Sequence, residues 1–169
     1  DVKFVMMAED DQADPKVGTT VAQKLVDAKV AGVIGHLNSG TSIPASAIYN
    51  GANIPMISGS ATNPQLTEQG FKGVLRAMGR DDQQGPAIAS YLAATKKPKL
   101  VAIIDDATQY GEGMTRLILS DGISTTTSGG IGGTPAEGLT GHGVGAYNYA
   151  PRVETDLIDM FELYVWNDD

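Results

Sequence analysis

The stretch Ala31-Gly32-Val33-Ile34-Gly35-His36-Leu37-Asn38-Ser39-Gly40-Thr41-Ser42-Ile43-Pro44 decides the fold class. A short β-branched run gives way directly to small hydroxyl residues and a proline, the order in which a buried strand ends and a helix starts. Outward from it the same grammar repeats. Strand-like runs at residues 3–8, 31–34, 55–57, 74–77 and 100–104 alternate with helical patterns. That alternation is the signature of an α/β fold, an open parallel sheet with flanking helices. After the first run, Asp14-Pro15 offers an N-cap and a proline at the first helical position, and Val17, Val21, Leu25 and Ala28 recur on one helical face. Asn63-Pro64 repeats the device. Asp82 opens a helix carrying Ile88, Tyr91 and Leu92, and residues 109–119 read as another, with Met114, Leu117 and Ile118 on one side.

From Asp121 the grammar changes. Residues 122–145 hold nine glycines and the run Ser124-Thr125-Thr126-Thr127-Ser128, too little apolar surface to order the segment by burial. The tail recovers a strand pattern in Met160-Phe161-Glu162-Leu163-Tyr164-Val165-Trp166. The expected organisation is an α/β lobe over residues 1–98, the start of a second lobe over 99–120, a glycine-rich linker or loop over 121–150, and a C-terminal strand region over 151–169.

Composition narrows the chemistry. The 169 residues carry a formal charge of −8 and no cysteine, which removes disulfide scaffolds and Cys-ligated zinc or iron–sulfur sites. No cluster of cations is denser than Lys96-Lys97-Pro98-Lys99, so a nucleic-acid surface is not expected. No apolar run approaches the roughly 18 residues of a membrane span. The opening residues have no basic region followed by an apolar one, so the chain reads as mature or as a fragment.

Most chemistry-bearing clusters have a plain structural reading. Glu9-Asp10-Asp11-Asp14 and Asp105-Asp106 follow strands, where acids cap turns and helix starts more often than they hold a cation. His36 and His142 lack a second ligand at close spacing, so no metal is expected. No Gly-x-Ser-x-Gly elbow is present, and Gly129-Gly130-Ile131-Gly132-Gly133 follows Ser/Thr residues rather than a strand, which argues against a phosphate loop. Two strand ends remain, Ser39-Gly40-Thr41-Ser42 and Ser58-Gly59-Ser60-Ala61-Thr62, where an open α/β sheet takes its ligands. Amides and hydroxyls at a helix N-terminus suit a carboxylate, and a carbonyl with a threonine hydroxyl suits an ammonium group. Ordinary N-capping explains the same residues equally well.

Four motifs in order carry a resemblance: Glu9-Asp10-Asp11-Gln12-Ala13-Asp14-Pro15-Lys16, Val33-Ile34-Gly35-His36-Leu37-Asn38-Ser39-Gly40, Ile57-Ser58-Gly59-Ser60-Ala61-Thr62-Asn63-Pro64, and Ile103-Ile104-Asp105-Asp106 leading to Tyr110-Gly111-Glu112-Gly113. They resemble the branched-chain amino-acid-binding periplasmic proteins of ABC transporters. The resemblance implies a type I periplasmic binding protein whose two lobes close over an aliphatic amino acid. It further implies that Ser39 meets the ligand carboxylate, that the Ser60 carbonyl and Thr62 hydroxyl meet the ammonium group, and that Tyr110 reaches across from the second lobe. Family members are longer and begin with a further strand and helix, and the sheet order places that strand in the middle, leaving two strands here without partners. The second lobe is incomplete after about residue 119, and residues 156–166 resemble the family's last strand region.

The expected function is therefore the substrate-binding component of an amino-acid ABC transporter, periplasmic, non-enzymatic, without cofactor or metal. Its expected partners are an amino acid and a membrane permease, not nucleic acid, with an oligomer or a partner chain as a further way to complete the sheet. The alternative is a sensory or interaction module of the same fold that acts by assembling with another chain. Three explanations compete for the sequence: part of a larger protein, a deletion or engineered half protein, or a native fragment with an altered C-terminus; the first is favoured, because a sheet without its central strand should not be stable alone.

Overall fold

The computed structural model describes residues 3–96, 100–120, 128–130 and 161–166. Helix α1 (Pro15–Asp27) starts where the Asp14 side chain accepts from the amides of Lys16 at 2.7 Å and Val17 at 3.0 Å, two donors that a helix start leaves without partners. Pro15 occupies the first position, where no N–H is needed. Gly18, Val21, Ala22 and Leu25 form its buried face, and a Cβ at Gly18 would lie 3.2 Å from Thr41 Cβ, so this glycine lets α1 approach α2 (Ser39–Gly51) closely.

Strand β1 (Val33–Ile34) is followed by α2, then β2 (Met56–Ser58), the short helix α3 (Gln65–Glu68) and β3 (Val74–Arg76). The three strands are parallel in the order β1-β2-β3, with Val33 opposite Met56 and Met56 opposite Val74. Those three residues share one sheet face and form the core with Val21, Leu25, Ile43, Tyr49 and Leu66. The next row across the strands, Ile34, Ile57 and Leu75, is exposed, Ile34 at 93%.

Helix α4 (Asp81–Tyr91) runs into a π-helical turn, Leu92–Lys96, and is followed by β4 (Leu100–Asp105) and α5 (Gln109–Ser120). Ala89, Ile103, Met114 and Ile118 make a second core. Here the sheet order is β5-β4-β6: β5 (Ser128–Gly130) is parallel to β4, and β6 (Phe161–Trp166) is antiparallel to it, with Ile103 opposite Leu163.

Several expectations are corrected. Residues 3–8 have strand composition but form no strand, and Phe4 and Met6 are 92% and 90% exposed. Composition alone does not make a strand; a partner ladder does. Helix α2 starts at Ser39 rather than at the proline, and Pro44 sits inside it. Ser42 Oγ donates to the His36 carbonyl at 3.1 Å and Thr41 Oγ1 to the Asn38 carbonyl at 3.1 Å, so side-chain bonds wind the turn ahead of the proline. Helix α4 opens at Asp81, one residue ahead of the expected Asp82. Within the expected linker, residues 128–130 form β5, because a ladder uses backbone alone and glycine supplies it. The second sheet is mixed rather than parallel. The remainder of the expected linker, His142 and residues 151–160 lie outside the described residues.

Candidate functional site

The carboxyl ends of β1 and β2 are tied together by one carbonyl. His36 O accepts from Ser42 Oγ and from Ser58 Oγ at 3.2 Å, and Ser58 Oγ in turn accepts from the amides of Ala61 at 3.0 Å and Ser60 at 3.4 Å. A serine at the end of a buried strand thus shapes the loop that carries Ser60 and Thr62. Arg76, at the end of β3, clamps the same loop: its guanidinium donates to the Ala61 carbonyl at 2.6 Å and to Thr67 Oγ1 at 3.0 Å.

Ser39 opens α2 and is buried, and its Oγ accepts the Asn63 N–H at 3.3 Å. Because that hydroxyl already accepts, its proton is left to donate. The first bond of α2 runs from Ser42 N to Asn38 O, so the amides of residues 39–41 have no partner within the helix. Thr62 is 6% exposed, and its carbonyl accepts from Asp81 N at 3.0 Å. Ser60 is half-buried beside it.

Asn63 joins these pieces to the second half of the chain. Its Oδ1 accepts from Gln65 N at 3.0 Å, and its Nδ2 donates to the Gln109 carbonyl at 2.8 Å. Gln109 Nε2 adds a bond to Gln65 Oε1 at 2.9 Å. The start of α5 is therefore fastened to the loop after Thr62, and a Cβ at Gly113 would lie 2.8 Å from Asn63 Nδ2, a contact that only glycine leaves open. Tyr110, next to Gln109, is half-buried with its ring against the second core. Of the four sequence-expected residues, Ser39 is bonded to Asn63, Thr62 precedes Asn63 in the chain, and Tyr110 follows the residue that Asn63 holds.

Sequence reasoning took Asn63 for a helix-start residue and passed over Asp81 and Arg76. The signal for Asn63 is the Thr-Asn-Pro triplet; Asp81 lies one residue ahead of the expected helix start at Asp82 and carries no signal of its own. In the fold Asp81 is fully buried, and neither carboxylate oxygen completes a hydrogen bond. Burial raises its pKa above the usual carboxylate range, while the nearby Thr62 side chain and the charge of Arg76 pull the other way. Burial, followed by the charge of Arg80, lowers the Arg76 pKa.

The acidic clusters serve the backbone and ion pairs. Asp10 and Asp11 accept from the amides of Gln12 and Ala13, Asp105 and Asp106 from those of Ala107 and Thr108, and Glu9 pairs with Lys24 at 2.7 Å. The His36 ring is buried with both nitrogens engaged, Nδ1 at 2.6 Å from Asp11 Oδ2 and Nε2 at 3.0 Å from the Tyr49 hydroxyl. Among the described residues no group of three or more His, Asp or Glu side chains is placed to hold a metal ion. A concavity lined by Asn50, Asn53, Pro55, Lys72 and Gly73 lies at the amino ends of β2 and β3. It is the wrong end of the sheet for ligand capture in an open α/β fold, and it holds none of the residues above.

Comparison with known proteins bears on the same region. Residues 1–120 match the sequence profile of the family described as periplasmic binding protein. The leucine-specific-binding protein of Salmonella typhimurium is 46% identical over 121 residues, covering 72% of this chain and 32% of the relative. The Leu/Ile/Val/Thr-binding protein of the same organism is 40% identical over 158 residues, covering 94% of this chain and 42% of the relative. Among solved structures, a leucine binding protein from Thermotoga maritima superposes with a TM-score of 0.63 at 27% identity over 66% of this chain and 32% of its own. A branched-chain amino acid transporter substrate binding protein from Streptococcus pneumoniae, in complex with isoleucine, gives 0.61 at 28% over 67% and 33%. The chain spans about a third of the length of the first of these relatives.

Proposed function

The chain belongs to the periplasmic binding protein family, and from that premise we propose that it forms the ligand-gripping part of a substrate-binding protein for leucine or related aliphatic amino acids, serving an ABC transporter in the periplasm. One observation supports the reading above the others: Asn63 gathers the Ser39 hydroxyl, the loop of Ser60 and Thr62, and the start of α5 at the carboxyl ends of the strands. The groups gathered there are neutral and complementary to a zwitterion. Ser39 has its proton free to donate, and the amides that open α2 add donors and the positive end of a helix dipole, which together suit a carboxylate. The Ser60 carbonyl and the Thr62 hydroxyl are acceptors for an ammonium group. Tyr110 supplies a wall from the start of α5.

Gripping requires no bond to be made or broken, so the reading is of a binding protein without a chemical step, a cofactor or a metal. Its partners are the amino acid and a membrane permease that receives it. Titration calorimetry of the chain with leucine and isoleucine tests this. Ser39→Ala should weaken leucine binding by about 1 to 3 kcal/mol, the cost of leaving a buried charged partner short of a donor. An unchanged affinity in that variant would remove Ser39 from the site, and no heat with either amino acid in the unaltered chain would overturn the reading.

A further inference from the structure

Asp81 is the most costly unexplained group in the described residues: a fully buried carboxylate with neither oxygen hydrogen-bonded. An isolated buried charge is expensive, and buried carboxylates are ordinarily paired or hydrogen-bonded. We propose that Asp81 is a positioning residue that accepts a hydrogen bond from the Thr62 hydroxyl and so leaves Thr62 only lone pairs to offer a ligand ammonium group. The inference rests on the binding reading above and deepens it.

Three features of the geometry support it. Asp81 N donates to the Thr62 carbonyl at 3.0 Å, so the two residues are held together whatever their side chains do. Arg76, the cation that faces Asp81 from β3, spends its guanidinium donors on the Ala61 carbonyl and Thr67 hydroxyl, and reaches Asp81 by charge alone. The other charge facing it is Asp82, on its own helix, which repels. The backbone bond between them keeps Thr62 beside Asp81, so the Thr62 hydroxyl is the donor assigned to the unpartnered carboxylate. Complete burial keeps the ligand itself from touching Asp81.

A hydroxyl has one proton and two lone pairs. Once its O–H donates to Asp81, Thr62 can only accept from a ligand, which suits an ammonium donor and opposes any ligand that presents an acceptor there. Ser39 accepts the Asn63 amide on one lone pair and keeps its proton to donate. Thr62 is thereby restricted to accepting while Ser39 retains a donor, one for each end of an amino acid. A cation held on Thr62 favours ionised Asp81, so ligand binding lowers the titration midpoint of Asp81, and leucine affinity rises as pH rises through the midpoint of the free protein.

The test uses the whole chain. Carbon-13 NMR of the Asp81 carboxyl, followed against pH with and without saturating leucine, should show the midpoint falling by about one unit, equivalent to a roughly tenfold change in affinity across the titration. In a double-mutant cycle, Thr62→Val and Asp81→Asn should each weaken leucine binding by roughly tenfold, and the double variant should bind no more weakly than either alone. A purely structural Asp81, serving only as counter-charge to Arg76, would leave the midpoint unmoved by leucine and the two losses additive; either result overturns the assignment. If Asp81→Asn fails to fold, the NMR titration of the unaltered chain decides. Failure of the unaltered chain to bind leucine overturns the binding reading and this inference together, whereas normal binding with an unmoved midpoint overturns this inference alone.

Discussion

At the scale of single residues, the fold spends its polar side chains on joining loops. His36 shows it best. Its ring bridges Asp11, on the loop before α1, and Tyr49, on α2, while its carbonyl holds Ser42 and Ser58. Burial works to raise the Asp11 pKa, but the hydrogen bonds from His36, the Ala13 amide and Thr41 outweigh it, and the net direction is downward. The Tyr49 phenol, buried and near the Asp11 charge, is pushed up to about 12 and stays protonated. A carboxylate held below its unfolded value of 3.8 contributes stability that is fully present above that pH and is lost as pH falls through the lower folded-state value. Asp11→Asn should therefore destabilise the protein more at pH 7 than at pH 3, as read from urea midpoints at the two values. An equal loss at both would show that the Asp11 charge contributes nothing.

At the scale of elements, close approaches are set by absent side chains. Helices α4 and α5 pack with Gly85 against Leu117, where a Cβ would lie 2.8 Å from Leu117 Cβ and 3.1 Å from its carbonyl carbon. The second contact is with backbone, which cannot swing aside. Gly85→Ala should push the two helices apart and cost about 1 to 3 kcal/mol, the usual range for overpacking, despite alanine's better helix propensity. A rise in the urea midpoint would mean that propensity wins and that the helices accommodate the methyl. The same reasoning accounts for α2: its first turn is wound by Thr41 and Ser42 bonds, so Pro44 interrupts a helix already nucleated rather than starting one.

At the scale of the whole molecule, the conspicuous feature is that the described residues cover the β1-β2-β3 sheet on one face. Val33, Met56 and Val74 are buried, while the row Ile34, Ile57 and Leu75 on the other face meets solvent, together with Phe4, Val5 and Met6. Parallel sheets are ordinarily covered on both faces, so this surface should behave as an exposed hydrophobic patch. The folded chain should bind the dye 8-anilinonaphthalene-1-sulfonate, and a combined Ile34→Ser and Leu75→Ser variant should lose most of that fluorescence while keeping its unfolding free energy within about 0.5 kcal/mol, as for surface positions generally. Undiminished dye fluorescence in the variant would place the patch elsewhere.

The sequence by itself determined that helices lie over α1, α2, α4 and α5, though not the first residue of α2 or α4, because helix formation there depends on local signals. Asp14-Pro15 caps α1 whatever surrounds it, one-faced apolar spacing buries Val21 and Leu25, and a serine ahead of a helix marks where amides are left free. It did not determine whether residues 3–8 become a strand, since pairing depends on a neighbouring ladder rather than on composition. Nor did it show that residues 128–130 pair with β4, because glycines carry no side-chain pattern to read. Above all, the convergence on Asn63 and the burial of Asp81 beneath Thr62 belong to tertiary structure. Asn63 and Gln109 are 46 residues apart, and Ser39 and Asn63 are 24 apart. No local preference encodes such a meeting; packing brings the strand ends and α5 together, and a carboxyl group one residue ahead of the expected helix start becomes fully buried.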